Sequence, residues 1–255
     1  MLKHRIIPCL LLHQGGLVKT MRFQKPKYVG DPLNAIRIFN EKEVDELMVL
    51  DIDASREGRE PNYSLIEQFA GECFMPLCYG GGIQTVAQAR RLFSLGVEKV
   101  CLQTAAIRDM NIISEIAELS GNQSVLFSLD VRKGLFGGQK AYAAALHKSL
   151  DRPWQTILQE AVRAGAGEVI INAVDRDGTM MGVDEELIRE AASLIPVPLI
   201  AAGGVGSMTD MRKAVDAGAS AVSAGAFFVF HGPHRAVLIT YPRYKDLENL
   251  FNTHE

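Results

Sequence analysis

Tyr79-Gly80-Gly81-Gly82-Ile83 and Ala202-Gly203-Gly204-Val205 are the same phrase written twice: a glycine turn at the end of a short apolar run. Two further pairs keep the same spacing. Asp51-Ile52-Asp53-Ala54-Ser55 resembles Asp175-Arg176-Asp177-Gly178-Thr179, and Leu95-Gly96-Val97-Glu98-Lys99-Val100 resembles Ala217-Gly218-Ala219-Ser220-Ala221-Val222. Each pair is offset by about half of the 255-residue chain. A four-unit strand–helix block used twice gives eight units, and right-handed crossovers in such a series close into a barrel. The expected fold is therefore α/β, a (β/α)8 TIM barrel with a twofold half-barrel repeat, as one domain over residues 1–255 with halves at about 1–122 and 123–255.

The rest of the chain reads consistently with that. Arg5–Leu12, Leu47–Ile52, Pro76–Tyr79, Lys99–Gln103, Val125–Val131, Glu168–Ala173, Pro198–Ala202 and Ser220–Ala224 are brief, nearly continuous apolar runs, the pattern of parallel strands buried on both faces. Between them, Pro32–Glu43, Tyr63–Glu72, Val86–Leu95, Asn111–Leu119, Trp154–Ala164, Glu185–Leu194 and Thr209–Ala217 have helical spacing, and a last helix is expected near Lys245–Phe251. Asp31-Pro32 and Asp184 supply helix starts, and Gly96, Gly165 and Gly218 supply stops. The segment Lys133–Leu150 carries Gly134, Gly137 and Gly138 and reads as a loop with a short hairpin at Lys140–His147.

Composition excludes several classes. Hydrophobic residues are 47% and charged residues 22%, with a net charge of −3, so nothing draws the whole chain to nucleic acid or an anionic membrane. The opening segment, Met1 to Arg5 followed by Ile6–Leu12, is too short for a membrane span and lacks a cleavage site, so the expected location is the cytoplasm. Cys9, Cys73, Cys78 and Cys101 form no C-x-x-C pair and read as reduced residues. His231 and His234 have no carboxylate or thiol beside them, so neither a metal nor a cofactor is expected.

Ligands of such barrels sit at the C-terminal strand ends. Gly81 and Gly82 follow the third strand, Gly203 and Gly204 the seventh, and backbone amides in glycine turns approach phosphate closely. Thr104 after the fourth strand and Ala224-Gly225 at the end of the eighth complete two half-sites, which imply a phosphorylated small-molecule ligand with two phosphates far apart.

Arg5-Ile6-Ile7-Pro8-Cys9-Leu10, Asp51-Ile52, Gly80-Gly81-Gly82-Ile83, Asp175-Arg176-Asp177-Gly178-Thr179 and Gly203-Gly204 together resemble the cyclase subunit of imidazole glycerol phosphate synthase, over nearly the whole chain. That resemblance implies a glutaminase partner on the N-terminal barrel face, ammonia passed through the barrel, and ring closure on a bisphosphorylated ribulose nucleotide. It places Gln103, Asp177 and Gly178 with the phosphate residues, and Lys19 near a phosphate or carbonyl. It makes Arg5, Glu46, Lys99 and Glu168 a charged gate at the lower mouth. Asp130 matches one of two aspartates that face each other as general acid and base, a division of labour that needs two carboxylates in different protonation states.

The other aspartate is missing, because its position is Leu11, and the family's strand-six threonine is Asn172. The run Leu10-Leu11-Leu12, the segment Gly15-Gly16-Leu17-Val18-Lys19-Thr20 and the segment Phe227–Arg235 resemble a branch associated with acetamidino modification of surface-polysaccharide sugars such as those of lipopolysaccharide. Its members act with a glutaminase-like subunit and a separate sugar amidotransferase. Three functions are thus in view: an ammonia-receiving barrel for sugar amidination, a cyclase of histidine biosynthesis, and a non-catalytic scaffold that activates a glutaminase.

Overall fold

The structure, a computed structural model, describes residues 4–134 and 137–252. The expectations that touch residues 1–3 and 135–136 lie outside it. Eight strands form the barrel: β1 (Arg5–His13), β2 (Leu47–Asp51), β3 (Leu77–Gly80), β4 (Lys99–Leu102), β5 (Val125–Lys133), β6 (Glu168–Ala173), β7 (Leu199–Ala202) and β8 (Ala221–Ala224). Each pairs in parallel with its neighbours, β8 pairs with β1, and β5 with β6 runs from Glu168 opposite Leu126 to Ala173 opposite Val131. The sheet is closed and has no free barrel edge.

Alternation along the strands makes two separate cores. Ile7, Met48, Cys78, Cys101, Leu126, Ile170, Ile200 and Ala221, one from each strand, meet inside the barrel, with Cys9, Leu50 and Ala202 above them. The intervening residues, among them Ile6, Leu10, Val49, Tyr79, Phe127 and Leu129, point outward and pack beneath the helices. Eight helices follow the strands: α1 (Pro32–Glu41), α2 (Tyr63–Glu72), α3 (Val86–Ser94), α4 (Asn111–Ser120), α5 (Trp154–Arg163), α6 (Glu185–Leu194), α7 (Met208–Asp216) and α8 (Tyr244–Asn252). Their starts are chemically marked. Asp31 accepts a bond from the Asn34 amide ahead of Pro32, and Thr85 and Gln88 form a reciprocal capping box. α1 buries Ile36 and Phe39, and Phe39 meets Phe228 edge-on at 6.5 Å between ring centroids. Truncating such a buried ring to alanine costs about 3–5 kcal/mol.

Two additions stand above the barrel. Gly16–Met21 turns back antiparallel along β1 and continues into Gln24–Gly30, a hairpin where the sequence suggested only connecting chain. β5 runs two residues beyond its apolar stretch and pairs antiparallel with Gln139–Ala143, Asp130 lying opposite Tyr142. The hairpin expected at Lys140–His147 is present with slightly wider bounds: Gln139–Ala143 pairs antiparallel with Lys148–Ser149 across a single 3-10 turn at Ala144–Leu146, and the end of β5 adds a third strand to it. The additions touch through Phe23 and Tyr142, whose ring centroids are 6.2 Å apart. Among the described residues no helix is long and apolar enough to cross a membrane.

Candidate functional site

Two glycine pairs shape the C-terminal mouth by the same device. A Cβ on Gly81 would lie 2.3 Å from the Asp51 carbonyl oxygen, and one on Gly203 would lie 2.7 Å from that of Ala173. Asp51 and Ala173 end β2 and β6, so each glycine lets its turn close over the preceding strand. Gly82 and Gly204 repeat this against the carbonyls of Arg59 and Gly182. All four have positive φ, so a side chain is excluded by conformation as well as by space. Packing alone therefore requires these glycines, and the same lack of side chains bares backbone at the mouth.

The mouth holds a cavity of about 240 Å³. Gly81, Gly82, Gln103 and Thr104 line one side, and Gly203, Gly204, Ala224 and Gly225 the other. Lys19, Asp130, Asp177 and Gly178 lie between them. Every residue expected at the ligand end is thus gathered round one space. Thr104 and Ala226 begin single helical turns, Thr104–Arg108 and Ala226–Val229, whose first amides have no intrahelical acceptor. The Gly82 amide is held by the Ser55 hydroxyl at 3.1 Å.

Asp130 is buried on β5 between two amides. Gln103 donates to its Oδ2 at 2.6 Å, and Asn172, directly opposite on β6, donates to Oδ1 at 3.3 Å. Burial raises the Asp130 carboxyl to about 7; the two amides work against that rise and nearby Asp177 adds to it. Asp177, also buried, is raised to about 6 by desolvation, which outweighs the attraction of Lys19. Lys19 is 5% exposed; its ammonium donates to the Cys9 carbonyl, and burial lowers its pKa. Two carboxyls that exchange protons near neutral pH, Asp130 and Asp177, are thereby held in one cavity with a lysine whose pKa is lowered. The Asn172 Oδ1 atom is buried without a hydrogen-bond partner, at a cost of roughly 1–3 kcal/mol.

β1 and β5 face each other across the barrel, four strands apart in either direction. Ile7 and Cys9 belong to the inner core and Leu10 and Leu12 to the outer one, so alternation turns Leu11 inward. The strand opposite Asp130 thus carries an alkyl group at this level, although Leu11 is not itself among the residues that line the cavity.

At the other end, Arg5 bonds both Glu46 and Glu168, and the Lys99 ammonium lies 2.8 Å from Glu46 and 3.0 Å from Glu168. Burial opposes the Lys99 charge, but the two carboxylates outweigh it and raise its pKa. The four residues close a ring of alternating charge in which each cation meets both anions. One feature escaped the sequence reading: His13 Nδ1 sits 3.0 Å from buried Asp53, which also receives the Gln14 amide and Arg56. Among the described residues no three His, Cys, Asp or Glu side chains gather as a metal cage.

The family model described as histidine biosynthesis protein matches residues 5–233. A Pseudomonas aeruginosa protein provisionally named imidazole glycerol phosphate synthase subunit hisF2 is 54% identical over 252 residues, 97% of this chain and 99% of its own. A Leptospira interrogans protein provisionally named subunit HisF is 48% identical over 255 residues, 98% and 100% of the two chains. The imidazole glycerol phosphate synthase subunit HisF of Exiguobacterium sibiricum is 37% identical over 253 residues, 96% of each. With the family matched across the whole barrel and these relatives aligned end to end, the chain belongs to the histidine biosynthesis protein family and is similar within it to the HisF subunits of imidazole glycerol phosphate synthase.

Proposed function

We propose that this chain is the ammonia-receiving barrel of a glutamine amidotransferase assembly that serves acetamidino modification of a surface-polysaccharide sugar, rather than the ring closure of histidine biosynthesis. The observation that carries the reading is Leu11, an alkyl side chain on the inward face of β1 opposite Asp130. Ring closure with its amine attack and dehydration needs protons moved at two places, and leucine neither gives nor takes one. The segments Leu10–Leu12, Gly15–Thr20 and Phe227–Arg235, which resemble the acetamidino branch, point the same way.

A glutaminase docks on the N-terminal face in this reading, and the ring of Arg5, Glu46, Lys99 and Glu168 controls entry of ammonia. The inner core is apolar, which keeps ammonia neutral on its way up. At the mouth, the unpartnered Asn172 Oδ1 is an acceptor suited to an incoming N–H, and Asp130, near half ionised at neutral pH, takes or supplies the proton. The glycine turns and Lys19 hold phosphate groups. A separate sugar amidotransferase takes the nitrogen onward. The same Asp130 environment favours a second reading, cyclase activity in histidine biosynthesis.

Deleting the gene tests the two against each other. The proposal expects polysaccharide that lacks its acetamidino group by mass spectrometry in cells that still grow without histidine. Histidine auxotrophy with unchanged polysaccharide would overturn it.

A further inference from the structure

We propose that a second cavity beside the barrel mouth is a binding site for a dianionic phosphate group. It is about 220 Å³, close to the main cavity in size, and its basic residues come from three places: Arg22 of the hairpin on β1, Arg132 and Lys133 at the end of β5, and Arg176 in the segment after β6. The carboxylates that share it are Asp175 and Asp184. Four cations against two anions leave two positive charges without an internal counterpart. The ion contacts are loose, with Arg132 Nε 3.9 Å from Asp175 and Arg176 Nε 3.8 Å from Asp184. Both separations exceed hydrogen-bond length. Asp175 instead takes the Lys133 amide at 2.7 Å, which fixes the wall while sparing the guanidinium groups.

The chemistry selects phosphate over carboxylate. A carboxylate brings one negative charge, whereas a phosphate monoester brings about −1.5 to −2 at pH 7 and three acceptor oxygens. Guanidinium forks match those oxygens pairwise. Backbone bonds already aim two of the forks, Arg22 Nε to the Asp175 carbonyl at 3.0 Å and one Arg176 terminal nitrogen to that of Gly182 at 3.1 Å.

The placement gives the site a consequence. Arg22 neighbours Lys19, Thr20 and Phe23, which line the main cavity, and its amide donates to the Asp177 carbonyl at 2.9 Å. Asp175 and Asp177 likewise face different cavities from one turn. A phosphate that joins Arg22 to Arg132 and Arg176 therefore ties the hairpin down over the main cavity. None of this depends on which nitrogen reaction the barrel serves.

Hydrogen exchange read by mass spectrometry separates the two cavities by location. Inorganic phosphate should protect residues 131–133, which line the second cavity and not the first, as well as the glycine turns of the main cavity. Arg132→Glu should weaken protection of the first set at least tenfold in phosphate concentration and leave the glycine turns unchanged; Arg132→Lys should restore most of it. Arg132 is substantially exposed, so neither change disturbs the core. A parallel titration with ribose 5-phosphate separates the sources: tighter binding than inorganic phosphate assigns the site to an ester, equal binding to the free ion. Absence of protection at 131–133 in the unaltered chain, or protection there that survives Arg132→Glu, would overturn the proposal.

Discussion

At the scale of single residues, the mouth of the barrel is governed by how burial sets protonation. Asp130 is raised to about 7 from an ordinary value near 4, so between those pH values the folded chain holds a proton that the unfolded chain releases. Its contribution is therefore most favourable below pH 4 and is lost as pH rises towards 7. Asp130→Asn should remove that loss: denaturant unfolding should show the variant gaining on the unaltered protein between pH 4 and 7, by a few kcal/mol. A constant difference across that range would mean that Asp130 is ionised throughout. In the charged ring the groups are paired in the fold instead. Glu46→Ala leaves Arg5 and Lys99 with one carboxylate between them and should cost about 3–5 kcal/mol in the same experiment. The residue types of this chemistry were legible in the sequence, Asp130 as an acid ending an apolar strand and Leu11 as its missing counterpart. The clamp of Gln103 and Asn172 on Asp130 was not, since it joins three strand ends that only barrel closure brings together.

At the scale of elements, legibility followed burial. All eight barrel strands are visible as apolar runs because both their faces are covered, and most helices differ from their expected spans by a residue or two at the ends. The strand Gln24–Gly30 escaped notice because five of its residues are exposed in succession and Pro26 interrupts it. The extension of β5 is polar at Arg132-Lys133 for a related reason: it pairs with Lys140 and Gln139, the less buried start of a strand whose later residues are buried. These unreadable elements overhang the cavity, so the part of the site nearest to solvent was the part hidden in the sequence. The hairpin on β1 rests on Gly178, where a Cβ would lie 2.0 Å from the Thr20 carbonyl oxygen. Gly178→Ala should lift it, raising hydrogen exchange at residues 17–21 while the barrel strands stay protected. Unchanged exchange would show that the hairpin accommodates the methyl group. On the helical side, Thr85→Ala removes one arm of the capping box and should cost about 1 kcal/mol, a fall of roughly 2–4 °C in Tm for a chain of this size.

At the scale of the whole molecule, one closed sheet separates two kinds of chemistry. The N-terminal end is a neutralised ring of four charges, the C-terminal end a proton-exchanging cavity between two glycine cradles, and a layer of apolar side chains lies between them. The half-barrel repeat, read first in Gly80–Ile83 and Ala202–Val205, explains why the cradles are related, with Gly81 over β2 as Gly203 is over β6. It does not extend to the acids of the strand ends, where Asp130 on β5 faces Leu11 on β1. If the ring admits ammonia, Lys99→Ala should leave glutamine hydrolysis by the partner glutaminase intact but reduce nitrogen delivery, measured as free ammonia lost to solvent; unchanged delivery would count against a gate.

The central claim is that Leu11 removes this barrel from ring closure, and a cyclase assay tests it most directly. Purified chain is given the bisphosphorylated ribulose nucleotide and excess ammonium salt, and imidazole product is followed alongside the Leu11→Asp variant. The account predicts no turnover by the unaltered chain and a gain on the order of 10²-fold or more in Leu11→Asp, the contribution of one placed acid–base group. Clear turnover by the unaltered chain, abolished in Asp130→Asn, would contradict it and make the protein a cyclase that works without its second carboxylate.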